Sequence, residues 1–528
     1  MVTINGDTVR IVLNREIDNS NEFISGKGLS SKLANDLKEK NLGFRHALIG
    51  KQTQTSIDIT HELQNAGIEA HLFPVNGEKN LALAGRIIND MASKGFGRDS
   101  VAICIDEGDG TALGSFIAAV YARGIPCVHY YKSTIPPNTS FDDGLGLLKQ
   151  PKITYYDGSF IENVKTTRIV HIKQINESHD IIIGHDMISR FARDLKERNL
   201  STRYALITDS NVNELYANRI SWEMEKLGLE HCIFSFTAGE KSKSLDTVIK
   251  IIGEMKARGF ENSAIVCIGG GVVTDLGGFI AAMRTLPCVY YATTTASQAD
   301  AAIGGKTGVN IPIAKNLIGM IKQPVLIYLD VATIPTQSFR GYREGLAEAV
   351  KHGIIQDKEF FTYLSLNVDD LANCQTDNLE NIIRQNVIIK GTVIEQDPFE
   401  KGLRQILNYG HTIGHAVEAS EYGKMYHGEA VSCGMMAEGW IAVEMGLYQE
   451  QQLMQQKTVL ERLRLPVRIP LNISNEEIIA TTLLDKKARE GKARYVLPEV
   501  IGKMCDFNGN WATYVDKEVV LKALDKTR

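Results

Sequence analysis

Short apolar runs alternate with amphipathic helical stretches along the chain as far as about residue 335. The runs are rich in β-branched and aromatic residues, which favour strands; examples are YALITD, CIFSFT, AIVCIG, CVYYAT and VLIYLD. Strands that alternate with helices are typical of an α/β fold with a parallel sheet. Because ligands bind at the carboxyl ends of such strands, we expect candidate chemistry at those ends.

This pattern occurs twice, and the two occurrences are similar in sequence. The matching segments are KLANDLKEKNLGFRHALIG (32–50) with RFARDLKERNLSTRYALIT (190–208), GEK (77–79) with GEK (239–241), MASKGFGRDSVAICI (91–105) with MKARGFENSAIVCIG (255–269), SFIAAVYARGIPCVHYY (115–131) with GFIAAMRTLPCVYY (278–291), and LLKQPKITYYD (147–157) with MIKQPVLIYLD (320–330). We infer an internal duplication, with a first copy at about residues 20–160 and a second copy at about 178–335.

Long helical stretches replace the alternating pattern after about residue 340. Examples are GLAEAVKHGII, NIIRQNVIIKGTVIEQD and AVSCGMMAEGWIAVEMGL. This change predicts a separate, mainly α-helical domain. The chain is therefore expected to divide into residues 1–175, 176–340 and 341–528.

The second copy carries a candidate dinucleotide site. The strand-like run AIVCI leads into Gly269-Gly270-Gly271, where the backbone can approach a pyrophosphate at a helix N-terminus. Asp209 ends the first strand, where an acid can accept hydrogen bonds from a ribose. Glu240 and Lys243 supply another polar loop. A glycine triplet alone is often only a tight turn, so Asp209 strengthens the interpretation.

The first copy has lost these features. Asp106-Glu107 stand where the second copy has Gly269-Gly270, and Asp109 follows; Lys51, Leu81 and Ala112 replace Asp209, Lys243 and Asp275. An acidic loop repels a pyrophosphate, so the first copy is expected to keep the fold without a dinucleotide site. We expect it to pack against the second copy or the helical domain as a structural or dimer-forming element.

Residues 404–429, RQILNYGHTIGHAVEASEYGKMYHGE, gather polar side chains in the helical domain. His411 and His415 are four apart, so both rings leave one face of a helix. Arg404 and Asn408 extend the spacing to i, i+4, i+7 with His411, which predicts that they share that face. His427 follows a glycine-containing break. Imidazole is the commonest metal ligand, and HTIGH lacks the glutamate of a zinc-protease HExxH motif.

Two further groups are candidates for ligand binding. Glu348 and Lys351 are three apart; they form either a surface pair or a site in which Glu348 joins His411 and His427 around a metal ion. Lys306 and the Lys315-Asn316 pair are predicted in a glycine-rich loop. Such groups suit a phosphate or a polyhydroxylated ligand, and a solvated loop is the alternative.

Composition and charge exclude other classes of protein. The net charge is −5, without a basic cluster of the kind that nucleic acids or membranes need. The eight cysteines are scattered and form no CxxC pair, which favours reduced thiols. No apolar run is long enough to span a bilayer, and the N-terminus lacks a signal-peptide core. A cytoplasmic location is therefore expected.

The second copy and the helical domain closely resemble 3-dehydroquinate synthase. The motifs are GGGVVTDLGGF (269–279), TTTASQADAAIGGKTGVN (293–310), AKNLIGMIKQP (314–324), GLAEAVKHGII (345–355), GLRQILNYGHTIGHAVEA (402–419), YHGEAV (426–431) and DKKAREGKARYVLP (485–498). The resemblance implies a Rossmann-like NAD-binding domain before a helical metal-binding domain. It implies a sugar phosphate substrate, NAD and Zn²⁺ (or Co²⁺) as cofactors, and a homodimer. The first copy is not part of the usual family architecture.

The resemblance also implies roles for individual residues. It places the metal on Glu348, His411 and His427. It assigns catalysis to His415, Lys306, Lys351, Arg404 and Asn408, and substrate binding to Arg284, Asp300, Asn316, Lys390 and Lys487 of the Lys486-Lys487 pair. The NAD contacts it implies are Asp209, Glu240, Lys243, Gly270, Gly271, Asp275, Thr293, Thr294 and Lys315.

The chain departs from the family pattern at several positions, so a second enzymatic activity stays an alternative. Ala301 and Ala302 stand where the family has serines, and two residues are missing before Arg284. A related sugar phosphate cyclase acting on sedoheptulose 7-phosphate or a hexose phosphate is the alternative. A decayed, non-catalytic chain is a third possibility, and the intact set of Glu348, His411, His415 and His427 argues against it.

Overall fold

Two sheets flanked by helices precede a helical domain. The computed structural model describes residues 2–5, 8–18, 21–26, 29–76, 80–106, 110–131, 152–157, 165–169, 172–312, 314–374, 378–398, 400, 402–421, 424–484 and 493–528. This architecture confirms the predicted α/β class and the helical C-terminal part. The GEK triplet at 77–79, Glu107, Asp109 and the Lys486-Lys487 pair lie outside the described residues.

The strands and helices follow one another along the chain in the order the periodicity suggests. The strands are β1 (Val2–Asn5), β2 (Thr8–Asp18), β3 (Asn21–Gly26), β4 (Arg45–Gly50), β5 (Glu69–Pro74), β6 (Val101–Asp106), β7 (Cys127–Tyr131), β8 (Ile153–Asp157), β9 (Lys165–Ile169), β10 (Ile172–Gly184), β11 (Arg203–Asp209), β12 (Glu230–Phe236), β13 (Ala264–Gly269), β14 (Cys288–Ala292), β15 (Lys306–Ile311), β16 (Ala314–Ile321), β17 (Leu326–Asp330), β18 (Arg494–Tyr495), β19 (Pro498–Val500), β20 (Lys503–Met504) and β21 (Thr513–Tyr514). The helices are α1 (Ser30–Glu39), α2 (Gln54–Asn65), α3 (Leu81–Ser93), α4 (Gly110–Val120), α5 (Ile188–Arg198), α6 (Ser210–Val212), α7 (Asn218–Lys226), α8 (Leu245–Ala257), α9 (Gly271–Met283), α10 (Phe339–Gln356), α11 (Lys358–Leu366), α12 (Val368–Ala372), α13 (Leu379–Gln396), α14 (His411–Ser420), α15 (His427–Glu444), α16 (Glu450–Arg462), α17 (Asn475–Leu484) and α18 (Lys517–Asp525).

The two sheets have the same strand order. One runs β5-β4-β6-β7-β8-β3, with β9 at its edge, and the other runs β12-β11-β13-β14-β17-β10, followed by β2 and β1. All neighbours are parallel except β9 against β3, β2 against β10 and β1 against β2. The shared order supports the inferred duplication, which stays an inference from the sequence.

The outer strands of the two sheets are exchanged. Strand β2 precedes the first sheet's β3 in the chain, but it pairs antiparallel with β10 of the second sheet. Strand β9 precedes β10, but it pairs antiparallel with β3 of the first sheet. The expected division after residue 175 thus falls inside β10 (Ile172–Gly184). Each sheet is completed by a strand that leads into the other.

A continuous hydrophobic core joins the two copies and the helical domain. Side chains of α3 and α4 pack in one cluster with those of α8, α9, β16 and the C-terminal helices. Separate, smaller cores lie on the opposite faces of the two sheets. This arrangement agrees with the expectation that the first copy packs against the rest of the chain.

Strands β15 and β16 form an antiparallel hairpin, so the prediction of a glycine-rich loop around Lys306 and Lys315 is wrong. No described helix is long and apolar enough to cross a membrane. The eight cysteines are free thiols, as expected.

Candidate functional site

Helices α10, α14 and α15 bring Glu348, His411 and His427 together. The Nε2 atoms of His411 and His427 lie 3.6 Å and 3.4 Å from the same oxygen, Glu348 Oε1. His411 is the first residue of α14 and His427 the first of α15, so both imidazoles stand at helix N-termini that meet α10. The structure therefore places the predicted ligand set around one point.

The second nitrogen of each imidazole has its own partner. His411 Nδ1 lies 3.0 Å from the carbonyl of Tyr409, and His427 Nδ1 lies 3.2 Å from Glu418 Oε2. Ligating histidines commonly donate their other N–H to a carbonyl or carboxylate, which orients the ring. Both Nε2 atoms are thus directed at Glu348.

The donor set fits a divalent metal ion. Bonds of about 2.0–2.2 Å in a tetrahedral site separate the ligand atoms by about 3.3–3.6 Å, as observed between Glu348 Oε1 and the two Nε2 atoms. Glu348 is 2% exposed; its Oε2 pairs closely with Lys351, and its Oε1 has no hydrogen-bond partner among the described residues. Lys351 supplies one positive charge beside this buried carboxylate, and Oε1, which faces the two imidazoles, is left available to a metal ion.

The nearby His415 also points to this group. The candidate ligand atoms of His411, His415 and His427 lie within 4.8 Å of one another, which makes a three-histidine set the competing choice. We favour Glu348 because its oxygen faces both Nε2 atoms and lacks hydrogen bonds. His415 then lies beside the metal position, where the resemblance places a proton-handling group.

Charges around Glu348 hold it ionised. Burial raises the pKa of Glu348, but the cation of Lys351 and the histidines outweigh burial, so this pKa lies well below its usual range. Burial lowers the pKa of His427, yet the carboxylates of Glu418 and Glu348 raise it well above its ordinary value. The carboxylates of Glu418 and Glu348 thus favour a positive charge at His427, which a metal ion can supply in place of the proton.

Backbone contact between α14 and α15 positions these histidines. A Cβ on Gly434 would overlap the carbonyl of Gly410 and lie 2.7 Å from the amide of Gly414. Gly410 has φ of 76°, in the left-handed region that favours glycine. The buried carboxylate of Glu438 caps the start of α14 by accepting from the amides of Gly410, Thr412 and Ile413.

That turn corrects the prediction of one helical face. Arg404 and Asn408 belong to a 3₁₀ helix (Leu403–Asn408), and Gly410 separates this helix from α14. The i, i+4, i+7 spacing with His411 is therefore not a helical ladder. His411 and His415 do share α14, as predicted.

A second group of side chains surrounds Glu400. Its Oε1 accepts hydrogen bonds from Lys306 Nζ at 2.8 Å and Asn408 Nδ2 at 2.9 Å, and its Oε2 lies 3.1 Å from Arg98 Nη1. The sequence analysis missed Glu400 and Arg98. Glu400 lies four residues before Arg404 in the motif region, but Arg98 belongs to the first copy, and no local pattern connects it to this site.

The charges in this group are mostly positive. Burial lowers the pKa of Lys306 well below its ordinary value; the Glu400 carboxylate opposes this shift, and the cations of Arg404 and Arg123 add to it. Arg404 is fully buried; it donates to the carbonyls of Pro398 at 2.6 Å and Gly304 at 2.9 Å. Its Nε has no hydrogen-bond partner among the described residues. An excess of buried and half-buried cations suits an anionic ligand.

Asp300 connects the two groups. Its Oδ1 lies 2.9 Å from Lys390 Nζ, 3.7 Å from Lys351 Nζ and 3.5 Å from His352 Nε2, while Lys351 also pairs closely with Glu348. Burial lowers the pKa of Lys390, and the cation of Lys351 adds to this, although Asp300 opposes it. The structure thus joins Asp300, Lys351 and Lys390, as the resemblance implies.

The predicted dinucleotide residues lie at the carboxyl ends of the second sheet's strands. Gly270 is the N-cap of α9, and a Cβ there would lie 2.8 Å from Thr294 Cγ2, so the cradle needs glycine. Asp209 ends β11, and its Oδ1 accepts from the amides of Asn211 and Val212. These positions leave a glycine turn beside a helix N-terminus, as a pyrophosphate site requires.

Other predicted residues form polar pairs around that turn. Lys243 pairs closely with Asp275, Asn310 Nδ2 donates to Glu240 at 2.8 Å, and Lys315 Nζ lies 2.7 Å from Glu418 Oε1. Three other predicted site residues are described by their backbone. Gly271 starts α9, and Thr293 donates its amide to the carbonyl of Gly269. Asn316 has a φ of 52°, in the left-handed region.

The roles assigned to all of these residues stay predictions, including those of Arg284 and Lys487. Arg284 is the half-buried C-cap of α9, at the end of that helix opposite to the glycine turn. Lys487 lies outside the described residues. Instead, the structure brings Arg123 of the first copy to the cation group, where its Nε lies 3.3 Å from the carbonyl of Thr307.

Comparisons with known proteins cover the second copy and the helical domain. The family model "3-dehydroquinate synthase N-terminal" matches residues 233–344, and "3-dehydroquinate synthase C-terminal" matches residues 345–488. A 3-dehydroquinate synthase of Thermodesulfovibrio yellowstonii is 37% identical over 331 residues, which are 62% of this chain and 92% of that protein. That of Symbiobacterium thermophilum is 38% identical over 327 residues, 61% of this chain and 91% of that protein.

Solved structures with the same fold include two sugar phosphate cyclases. A 2-deoxy-scyllo-inosose synthase complexed with carbaglucose-6-phosphate, NAD⁺ and Co²⁺ is 26% identical, with a TM-score of 0.62 over 67% of this chain and 98% of that chain. A 2-epi-5-epi-valiolone synthase from Streptomyces hygroscopicus with NAD⁺ and Zn²⁺ is also 26% identical, with a TM-score of 0.62 over 68% and 99%.

Proposed function

This chain belongs to the 3-dehydroquinate synthase family, and we propose that it converts 3-deoxy-D-arabino-heptulosonate 7-phosphate into 3-dehydroquinate and phosphate. The reaction is a carbon–oxygen lyase step of the shikimate pathway, which leads to chorismate and the aromatic amino acids. NAD and Zn²⁺, or Co²⁺, are the proposed cofactors.

The convergence of Glu348, His411 and His427 carries this proposal. A decayed enzyme has no reason to keep a buried carboxylate with one oxygen that lacks hydrogen bonds and faces two oriented imidazoles. The same arrangement sits beside the glycine turn of α9 and the cation group around Lys306. One region therefore combines candidates for metal, dinucleotide and phosphate binding.

The proposed cofactors supply chemistry that amino-acid side chains lack. Glu348, His411 and His427 would hold a divalent ion that would supply Lewis-acid polarisation of a ring alcohol, and bound NAD would supply reversible hydride acceptance from that alcohol. The chain's own residues bind and orient the substrate around these groups.

Two sets of polar side chains are proposed to hold the phosphate and the ring hydroxyls of the substrate. Lys306, Arg404 and Asn408 lie together and suit the phosphate, whose departure leaves charge that they stabilise. Asp300, Lys351 and Lys390 form a hydrogen-bonding set beside the metal ligands, suited to ring hydroxyls. Substrate recognition would also use Asn316, Arg284 and Lys487.

His415 is the proposed proton-handling group. It follows His411 by one turn of α14, and its ring centroid lies 5.3 Å from that of His411 and 5.8 Å from that of His427. Imidazole exchanges protons near neutral pH, so this position suits removal and return of a hydroxyl proton.

The direct experiment measures phosphate release. Full-length protein loaded with Zn²⁺ or Co²⁺ is mixed with the heptulosonate phosphate and substoichiometric NAD. We expect many turnovers per NAD, and loss of turnover after chelation that added metal restores. Absence of phosphate release from metal-loaded, NAD-supplied protein contradicts the proposal.

Sedoheptulose 7-phosphate serves as the matched competitor, because it lacks the carboxylate of the proposed substrate. The two structural neighbours are cyclases other than 3-dehydroquinate synthase, which motivates this control. Faster turnover of the competitor would replace the proposed substrate. A cytoplasmic location and a homodimer are also part of the proposal, and light scattering of the purified chain measures the latter.

A further inference from the structure

The first copy is held against the second by two independent means. The exchanged strands β2 and β9 complete each other's sheets, and a shared apolar core lies between the helices of the two copies. The segment after α4 also contacts the β15–β16 hairpin directly, since Ala122 donates its amide to the carbonyl of Leu317 at 2.7 Å. The first copy therefore has a defined position relative to Lys306.

That segment delivers Arg123 to the cation group. Arg123 follows Ala122 in the chain, and both residues have positive φ, 65° and 49°, in a tight turn at the hairpin. Its Nε lies 3.3 Å from the carbonyl of Thr307, the residue after Lys306. A non-glycine residue in the left-handed region costs free energy, so the turn is held there by surrounding structure.

Arg98 reaches the same group from another loop of the first copy. Its Nη1 lies 3.1 Å from Glu400 Oε2, while its Nε lies 3.3 Å from the carbonyl of Ala122. Because Glu400 also accepts from Lys306 and Asn408, Arg98 belongs to the same hydrogen-bonded set.

The charge around this set is unbalanced. Lys306, Arg404, Arg98 and Arg123 are cations that act on one another or on the same carboxylate. Burial lowers the pKa of Arg123 to about 10, and the cation of Arg98 adds to this. Asp275, the other acid acting on Arg123, already pairs with Lys243. Besides Glu400, Asp397 and Asp300 act on Arg404, but Asp300 already pairs with Lys390 and Lys351. The Arg404 Nε lacks a partner among the described residues.

We propose that the first copy is a built-in partner that completes the anion site of the second, with Arg123 and Arg98 binding the phosphate group of the substrate beside Lys306. This inference rests on the proposed function for the identity of the anion. Residues 1–175 have lost their own dinucleotide site, so their role was open. The inference assigns them the role of completing the anion site. When the two copies are aligned, Arg123 of the motif RGIPCV stands at the position of Arg284 in the motif RTLPCV.

The pattern of loss in the first copy supports this role. Positions equivalent to Asp209, Lys243 and Asp275, the proposed dinucleotide contacts, have become Lys51, Leu81 and Ala112. The arginine that faces the other copy has been kept. A copy retained only as packing has no need of a half-buried arginine beside Lys306, because partial desolvation of a cation is costly.

The test measures binding of inorganic phosphate by calorimetry to full-length protein loaded with metal and NAD. We expect R123Q and R98Q each to weaken phosphate binding by about tenfold to a hundredfold, as loss of a charge-assisted hydrogen bond does. R123K should recover part of the affinity, since lysine restores the charge without the fork of donors. NAD affinity should stay unchanged in all three variants.

R86Q is the matched control. Arg86 is an exposed arginine on α3 of the same copy, so this change removes an equal charge from outside the hydrogen-bonded set. Phosphate affinities of R123Q and R98Q equal to that of R86Q would overturn the proposal. So would an R123K variant as weak as R123Q, because that result indicates a packing role.

This measurement separates the inference from the proposed function. Phosphate binding needs no turnover, so the arginine variants are informative even if the heptulosonate phosphate is not the substrate. Conversely, if the enzyme releases phosphate from that substrate while R123Q binds phosphate normally, only the role of the first copy is wrong. A rise in substrate KM in R123Q, with kcat changed less, gives the second readout.

Discussion

Glu418 Oε2 lies 3.2 Å from the Nδ1 atom of His427, and the other oxygen of the same carboxylate lies 2.7 Å from Lys315 Nζ. One side chain of α14 therefore orients a proposed metal ligand and pairs with a proposed dinucleotide contact. Carboxylates in this position fix the tautomer of a ligating imidazole and raise its basicity.

Replacing this carboxylate should weaken metal binding without removing a ligand. We expect E418Q to lower Zn²⁺ affinity about tenfold to a hundredfold, the usual effect of changing a group that orients a ligating histidine. Competition with a chromogenic chelator measures it. E421Q is the control, since Glu421 lies one turn away and bonds to Asn472 instead. Equal Zn²⁺ affinity of E418Q and E421Q would contradict the role of Glu418 in orienting His427.

A pair of variants decides which third group completes the metal site. E348Q should fail to retain stoichiometric metal after dialysis, because it removes a proposed ligand. H415Q should retain metal but lose turnover by about 10²–10⁴-fold, as loss of a general acid–base group does. Metal analysis and phosphate-release rates on both proteins give the answer. Metal loss in H415Q with retention in E348Q would establish a three-histidine site.

Asp209 has a structural and a proposed functional role that substitution can separate. D209N keeps a side-chain oxygen that can accept from the amides of Asn211 and Val212, but it loses the charge proposed to bind a ribose. NAD affinity should fall about tenfold in D209N, as expected for a lost hydrogen bond to a charged group. D209A should show this loss and also a lower free energy of unfolding, by about 1 kcal/mol. Fluorescence titration and urea unfolding measure the two effects, and unchanged NAD affinity in D209N excludes the ribose contact.

The approach of α14 and α15 predicts intolerance at Gly434. The new Cβ in G434A would overlap backbone atoms of Gly410, which cannot rotate away, so destabilisation of about 3 kcal/mol or more is expected. G253A is the comparison: Gly253 lies inside α8, with no atom within 4 Å of an added Cβ. Alanine there should be neutral or stabilising by up to about 1 kcal/mol. Equal melting temperatures for the two variants would contradict this packing.

His179 predicts a pH-dependent stability unrelated to the site. It is 1% exposed, neither ring nitrogen has a hydrogen-bond partner among the described residues, and burial lowers its pKa from 6.5 to about 4, although Asp180 opposes this shift. Between these pKa values the unfolded chain binds more protons than the folded chain, so the free energy of unfolding falls as pH falls.

The H179L variant isolates this contribution. From pH 7 to pH 5 the wild type should lose about 2 kcal/mol more unfolding free energy than H179L, because leucine does not titrate. Urea unfolding at both pH values measures the difference, and the other titrating groups cancel in the comparison. Parallel losses in the two proteins would show that His179 is protonated equally in both states.

Much of the fold was predictable from periodicity and local motifs. Apolar runs predicted the strands of the second sheet, Gly269-Gly270-Gly271 predicted a turn before a helix, and His411 and His415 share a helical face as their spacing requires. The prediction failed where the helical spacing of His411 and His415 was extended to residues before α14. Arg404 and Asn408 do not continue α14, because Gly410 adopts a left-handed conformation against α15.

Sequence alone determined the α/β class, the likeness of the two copies and the residue types of the proposed metal, dinucleotide and cation groups. These depend on composition and spacing within short segments. Tertiary structure decided that strands β2 and β9 are exchanged and that Arg98, Arg123 and Glu400 meet Lys306. Such contacts join residues that are far apart in the chain. These contacts depend on the direction of each side chain and on how the two sheets pack together. Neither is encoded by the pattern of residues within a short segment.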